Sequence, residues 1–155
     1  MKRRTIASVL LLISLLCGCG KADAPAEPIN LQAFYDGLTE RYELAAMDAA
    51  DDTLLESFYP GLSSLPLRQR VAYLPLITAV VSELVFLECE TAEAADRAAE
   101  ILRGRVKVQA DGGAWYPESM AAWTKAQVIT EGNYVAMIAA QEDTEAIAAD
   151  FRALF

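Results

Sequence analysis

Two strand–strand–helix patterns follow one another along this chain, and their order constrains the fold more than any single motif. In the first pattern, residues 70–74 and 83–89 are rich in Val, Leu, Tyr and Phe and are too short for helices, so they predict two strands. Thr91 then precedes residues 92–108, an alanine-rich segment with helical spacing of its apolar side chains, and is a suitable N-cap. This first pattern predicts a ββα unit.

The second pattern repeats that order near the end of the chain. Residues 127–130 and 134–139 predict a hairpin, because the Gly132-Asn133 pair between them suits a two-residue turn that needs positive φ angles. Residues 145–154 carry apolar side chains at helical spacing and predict the helix that completes the unit.

Helical patterns also precede and separate the two units. Asn30 is a suitable N-cap for a first helix, whose apolar stripe is Leu31, Phe34, Tyr35, Leu38 and Tyr42. Further short helices are predicted over residues 51–58 and 117–125. Together the segments predict an α+β fold: a small antiparallel sheet built from two ββα units, with the N-terminal helices packed on it and the helices covering one face.

The first twenty residues have the layout of an export signal. A basic head, Lys2 to Arg4, precedes an apolar stretch over residues 6–16, which reaches roughly 16 Å as a helix and is therefore too short to cross a ~30 Å hydrocarbon core. The stretch ends in Leu16-Cys17-Gly18-Cys19, which resembles the lipobox of bacterial lipoproteins with Cys19 as the acylated residue. An ordinary secreted protein with an incidental cysteine is the alternative.

This interpretation divides the chain into three parts. Residues 1–18 are a predicted lipoprotein signal peptide, residues 19–28 a tether rich in small residues and proline, and residues 29–155 a single α+β domain. Lipidation at Cys19 predicts a protein held on the outer face of the cell membrane, with the membrane as its partner through acyl chains.

The charge of the chain disfavours one class of partner. The formal net charge is −9, and removal of the three basic residues of the leader changes it to −12. Nucleic-acid phosphates repel so acidic a protein, so we do not expect nucleic-acid binding.

No group of residues has the spacing of a catalytic, metal or cofactor site. The chain contains no histidine, which removes the commonest general base and the usual zinc ligands. Cys89 lies in an apolar run and is predicted to be a buried, inert thiol. Residues 47–52 are acidic enough to suggest calcium, but they lack the pattern of an EF-hand loop and fit the start of a helix better.

An aromatic cluster is the candidate contact site for a ligand or partner. Trp115 and Tyr116 follow a Gly-Gly turn, and with the nearby Glu118 they could hold a sugar ring or an apolar ligand. The simpler interpretation is a loop folded onto the core with Trp123 buried, because large aromatic side chains mostly bury.

Several of these features together resemble the domain of unknown function 4358 family, a group of small lipoproteins found mostly in Gram-positive anaerobes. They are the lipobox, residues 82–86 (SELVF), residues 116–118 (YPE) and residues 132–134 (GNY) in a hairpin. The resemblance covers residues 29–155 in layout. It implies the location and the fold, and it leaves the function open because the family has no assigned activity.

The sequence thus favours a membrane-anchored, non-catalytic module that binds a protein, a wall component or a small molecule. The alternative is an enzyme acting on envelope material through paired carboxylates, which would have to lie about 5 to 10 Å apart across a cleft. The solute-capturing component of a transporter is disfavoured, because such receptors usually need two lobes around their ligand.

Overall fold

The computed structural model describes residues 28–77 and 79–155. The predicted signal peptide, Cys19 and the tether up to residue 27 lie outside the described residues. Within these residues, five strands form one antiparallel sheet in the order β1-β2-β3-β5-β4. The strands are β1 (Met47–Ala49), β2 (Leu67–Pro75), β3 (Ser82–Cys89), β4 (Gln127–Glu131) and β5 (Tyr134–Ala140).

Five α-helices accompany the sheet in this part of the chain. They are α1 (Leu31–Arg41), α2 (Asp52–Phe58), α3 (Ala92–Val108), α4 (Pro117–Trp123) and α5 (Thr144–Arg152). The order β2-β3-α3 and then β4-β5-α5 confirms the α+β fold with its two ββα units. The central strands are β3 and β5, one from each unit, and they pair along seven residues.

The predicted N-caps explain where two helices begin. The side chain of Asn30 accepts a hydrogen bond from the backbone N–H of Ala33 at 3.0 Å, and that of Thr91 accepts one from Ala94 at 3.2 Å. Each bond satisfies one of the backbone donors that a helix leaves unpaired in its first turn.

The helices cover both faces of the sheet, so the prediction that they cover one face is wrong. Helices α1 and α5 pack on the face that carries Leu84 and Phe86, whereas α2, α3 and α4 pack on the face that carries Val85 and Leu87. Successive side chains of a strand point to opposite faces, and all four of these are fully buried. The run in β3 lacks alternation between apolar and polar residues, which is the pattern of a strand covered on both sides.

The acidic segment at residues 47–52 divides between two elements. Its first half forms β1, an edge strand paired with β2 that the sequence analysis did not predict. Its second half begins α2, as predicted: Asp51 accepts a hydrogen bond from the Leu54 N–H at 2.7 Å, and Asp52 pairs with Arg70 at 2.5 Å. Among the described residues, no group of three or more acidic, cysteine or histidine side chains could hold a metal ion.

The predicted hairpin between β4 and β5 has the predicted turn. Glu131 pairs with Tyr134, which leaves Gly132 and Asn133 as a two-residue loop. Gly132 has φ of +57°, whereas Asn133 is not among the residues with positive φ. A glycine with positive φ at the first of the two turn positions is the pattern of a type II′ turn.

A pair of glycine substitutions tests this account of the turn. We expect Gly132→Ala to lower the free energy of unfolding by about 1 kcal/mol, because a Cβ is strained at positive φ even where it has open space. Gly104→Ala is the matched control in the interior of α3, where an added Cβ also meets nothing; it should stabilise by about 0.5 to 1 kcal/mol. Urea unfolding followed by circular dichroism measures both changes. A loss of stability in both variants would contradict the turn assignment.

Candidate functional site

A cavity of about 640 Å³ opens between α2, α3 and the connection from β2 to β3. Its wall is partly aliphatic, from Pro75, Ala79, Val80 and Ala114, and partly aromatic, from Phe58 and Trp123. Polar groups are contributed by Ser57, Glu83, Arg105 and Gln109, and Trp115 and Tyr116 complete the lining.

Two glycines position the aromatic side of this cavity. Helix α3 continues into a π-helical turn, Gln109–Gly113, in which Gly112 has φ of +120°. At Gly113 an added Cβ would lie 2.7 Å from the carbonyl oxygen of Val108, so no larger residue fits without a shift of the backbone. The chain therefore reverses at this point and leads through Trp115 into α4, which begins at Pro117.

The base of the cavity holds an ion pair between Glu83 and Arg105. The Nη2 of Arg105 donates to Oε1 of Glu83 at 2.5 Å, and its Nε donates to Oε2 at 3.1 Å. The Glu83 side chain is 3% exposed and that of Arg105 is 18% exposed. Two parallel hydrogen bonds to one carboxylate form the bidentate arrangement that suits a guanidinium group, so each charge is compensated where water has little access.

Arg105 reaches Glu83 because its position continues the buried stripe of α3. It follows Ala98 by seven residues and Leu102 by three, and both of those are fully buried against the sheet. The guanidinium carbon lies 4.6 Å from the ring centroid of Phe58 and 5.4 Å from that of Trp123. The ion pair is thus held between aromatic rings, where cation–π attraction adds to the hydrogen bonds.

Tyr59 supplies a third group to the carboxylate. Its hydroxyl donates to Oε2 of Glu83 at 2.6 Å, and the residue is fully buried. Burial, followed by the charge of Glu83 and this hydrogen bond, raises the pKa of Tyr59 well above its ordinary value. The hydroxyl therefore stays protonated and remains a donor to Glu83.

The mouth of the cavity carries the exposed aromatic side chains. Trp115 is 92% exposed and Tyr116 is 57% exposed, while Trp123 is buried at 3%. The simpler prediction is therefore right for Trp123 but wrong for the loop, which does not fold onto the core. Ala114 is buried and Trp115 points out because neighbouring residues of extended backbone face opposite sides.

Further apolar residues are exposed at this mouth and on the segment that follows Pro75 of its wall. Besides the two aromatic residues, Val80 lines the cavity at 37% exposure, and Leu76 and Ile77 are exposed on the same connection between β2 and β3. We refer to these five residues, Leu76, Ile77, Val80, Trp115 and Tyr116, as the apolar rim.

The other residues singled out from the sequence lie outside this cavity. Glu118 is exposed in the first turn of α4 and lines a shallower depression beside the mouth, together with Tyr116 and Val80. Gly132 and Asn133 line a separate depression with Tyr134 and Phe155. Their role is the turn itself.

The polar base of the cavity was not predicted from the sequence. Glu83 occurs just before the apolar run of β3, and Arg105 occupies a core position of an amphipathic helix. Two charged residues of opposite sign at positions where the pattern predicts buried side chains are the signal that could have identified the pair. By contrast, the predicted burial of Cys89 is confirmed: the thiol is inaccessible to water, and burial raises its pKa.

Comparison of the chain with protein-family models, with curated proteins and with solved structures found no match. The family resemblance given above therefore stays a prediction. No helix among the described residues is long and apolar enough to cross a membrane.

The ion pair predicts an asymmetric response to substitution. Arg105→Met should lower the free energy of unfolding by about 3 to 5 kcal/mol, because it leaves the carboxylate of Glu83 buried without its counter-charge. Adding Glu83→Gln to that variant should restore part of the loss, since no uncompensated charge remains. Urea unfolding of the wild type, both single variants and the double variant measures the coupling free energy between Glu83 and Arg105.

The exposed pair of Arg97 and Glu100, with both side chains 65% exposed, provides the control. Arg97→Met should change stability by less than about 1 kcal/mol, because water screens the pair. If substitution of Arg97 and of Arg105 lowers the free energy of unfolding equally, with no coupling between Glu83 and Arg105, the buried pair contributes no more to stability than the exposed pair.

Proposed function

We propose that this chain is a membrane-anchored extracytoplasmic lipoprotein whose folded part is a non-catalytic binding module, with the mouth of the cavity as its binding surface. The observation that carries the proposal is the exposure of Trp115 and Tyr116 over a cavity of about 640 Å³. Tryptophan and tyrosine dominate the energetics of binding surfaces, and a protein gains nothing for folding by exposing them.

The distribution of exposed apolar side chains supports this surface over others. Eight large hydrophobic residues are exposed among the described residues, and the five of the apolar rim belong to the two segments that form the mouth. Exposed apolar residues that are scattered singly need no explanation, whereas a concentration of them marks a contact surface.

The lipid anchor is supported by the sequence of the leader. Leu16, Gly18 and Cys19 occupy the three lipobox positions, whereas Cys17 is preceded by a leucine where a small residue is needed. Two or more acyl chains, each contributing ~0.8 kcal/mol per buried CH₂, hold a protein of this size at a bilayer without help from its surface.

The enzyme hypothesis gains no support from this cavity. Paired-carboxylate hydrolysis needs two carboxyl groups facing one another across the substrate. Glu83 is the one carboxylate among the described lining residues, and both of its oxygens are bonded to Arg105 or Tyr59.

Photo-crosslinking in cells tests the binding surface. The full chain is expressed with a photoreactive amino acid at position 115, and position 155 serves as the control because Phe155 is 53% exposed away from the cavity. We expect a discrete adduct from position 115 and none from position 155. No adduct, or the same adducts from both positions, would remove the support for this surface.

Two cysteine variants test the anchor. Cys19→Ala should release the chain from the membrane fraction or leave its leader uncleaved, because acylation needs that sulfur. Cys17→Ala, which keeps Leu16, Gly18 and Cys19, should remain acylated at the membrane. Cell fractionation and mass spectrometry of the first mature residue distinguish the two results. An unmodified thiol at Cys19 in the wild type would overturn the anchored location and leave the binding surface to be judged by crosslinking.

A further inference from the structure

The base of the cavity contains a hydrogen-bond donor that no described residue of the protein uses. Arg105 donates from Nε and Nη2 to Glu83, and no described residue accepts a hydrogen bond from its Nη1. Thr130 carries the one buried side-chain polar atom without a partner among the described residues, so Nη1 is accessible to solvent. Arg105 lines the cavity, and we infer from this that an occupant reaches the Nη1 donor.

This donor restricts what the cavity can accept. A purely apolar occupant would displace water from Nη1 and leave the donor unsatisfied, which costs free energy. A free anion would find the charge of Arg105 already compensated by Glu83. The fitting group is therefore a neutral oxygen acceptor, such as a carbonyl, next to an apolar group that fills the rest of the space.

The apolar wall of the cavity distinguishes between two such occupants. A saccharide also offers neutral oxygens, but its hydroxyl groups would lie against Pro75, Ala79 and Val80, whose side chains form no hydrogen bonds. A large side chain of a peptide instead matches the aliphatic and aromatic surface, and the backbone carbonyl beside it supplies the acceptor. Buried Trp, Tyr and Arg side chains are also the common anchors of protein interfaces.

The path of the chain indicates on which side that peptide would approach. The carbonyl oxygen of Ile29 accepts a hydrogen bond from Gln69 at 2.7 Å, and Gln69 pairs with Glu88 near the end of β3. Glu83, by contrast, lies near the start of β3, and Pro75 in the cavity wall ends β2. Pro75 follows Gln69 by six positions along β2, which is roughly 20 Å at ~3.3 Å per residue.

Helix α1, which follows this entry point, also packs on the opposite face of the sheet from α3. The described part of the chain therefore begins at the far end of the sheet and on the opposite face from α3. If the chain is anchored through the residues that precede Pro28, the mouth of the cavity lies away from the point where the folded part is attached.

We propose that the cavity binds an apolar side chain of a protein partner, with the adjacent backbone carbonyl accepting a hydrogen bond from Nη1 of Arg105. This inference rests on the proposed binding surface and names its occupant. The partner is a protein segment that exposes a large hydrophobic residue and meets the module on the side opposite the tether.

Titration with defined probes tests the occupant. The mature chain, as recovered from cells, is labelled with ¹⁵N at its arginine side chains and titrated with the blocked tripeptides acetyl-Gly-Trp-Gly-amide, acetyl-Gly-Leu-Gly-amide and acetyl-Gly-Ser-Gly-amide. We expect the Trp and Leu peptides to bind at least tenfold more tightly than the Ser peptide and to shift the side-chain resonances of Arg105.

The variant Trp115→Ala should weaken binding of the Trp peptide about tenfold or more, as loss of an interface anchor does. It should not affect folding, because the side chain is 92% exposed. Phe155→Ala is the matched control, a half-exposed aromatic away from the cavity, and it should bind the peptides as the wild type does.

Two further probes distinguish an error in the proposed occupant from an error in the proposed binding surface. If tetra-N-acetylglucosamine or phosphatidylglycerol vesicles bind in a manner that requires Trp115 while the peptides do not, the proposed binding surface stands and the protein partner is overturned. If none of the probes binds and position 115 also gives no crosslink, both proposals are overturned. Equal affinity for the three peptides would overturn the proposal that the cavity selects an apolar side chain.

Discussion

Burial of both faces of the two central strands is the constraint on which the rest of this structure depends. The side chains of β3 and β5 are mostly apolar on both faces, and the residues of their shared ladder are almost all inaccessible to water. A strand of this kind must be covered twice, because each face would otherwise expose a continuous apolar surface. The two layers of helices follow from that requirement, and so does the position of α3 against the start of β3.

The polar base of the cavity is the main exception to this apolar interior, and the layer of helices makes it possible. Glu83 belongs to the same face as Val85 and Leu87, so its carboxylate enters the core beneath α3. A lone carboxylate there would be costly, and Arg105 and Tyr59 together supply the counter-charge and the hydrogen bonds that make it tolerable. In other proteins, an apolar pair of similar volume is often as stable as a buried ion pair or more stable. The charged base of the cavity is the part of the core that the proposed binding function would use.

The two ends of the sheet carry different features. One end holds the entry of the chain, where Gln69 binds the backbone at Ile29 and Leu31, and the hairpin turn at Gly132. The other end carries the apolar rim and the cavity. In the proposed function, the attachment point and the binding surface are therefore separated by the length of the strands.

The sequence by itself determined the local features of this protein: the α+β class, the two ββα units, the caps at Asn30 and Thr91, and the Gly132 turn. Each of these depends on residues within a few positions of one another, through periodicity, capping or the φ angle of one glycine. The edge strand β1 was missed because three residues, mostly exposed, carry no recognisable pattern.

Only the tertiary structure decided which helices cover which face, that Trp115 points into solvent while Trp123 is buried, and that Glu83 meets Arg105. These two charges are 22 residues apart in the chain, and their contact depends on how α3 lies across the sheet. The spacing of apolar residues predicts that a side chain faces inward, but it does not predict which side chain it contacts there. The candidate site was therefore half predictable: its aromatic mouth was indicated by composition, and its charged base required the packing of a helix against a strand.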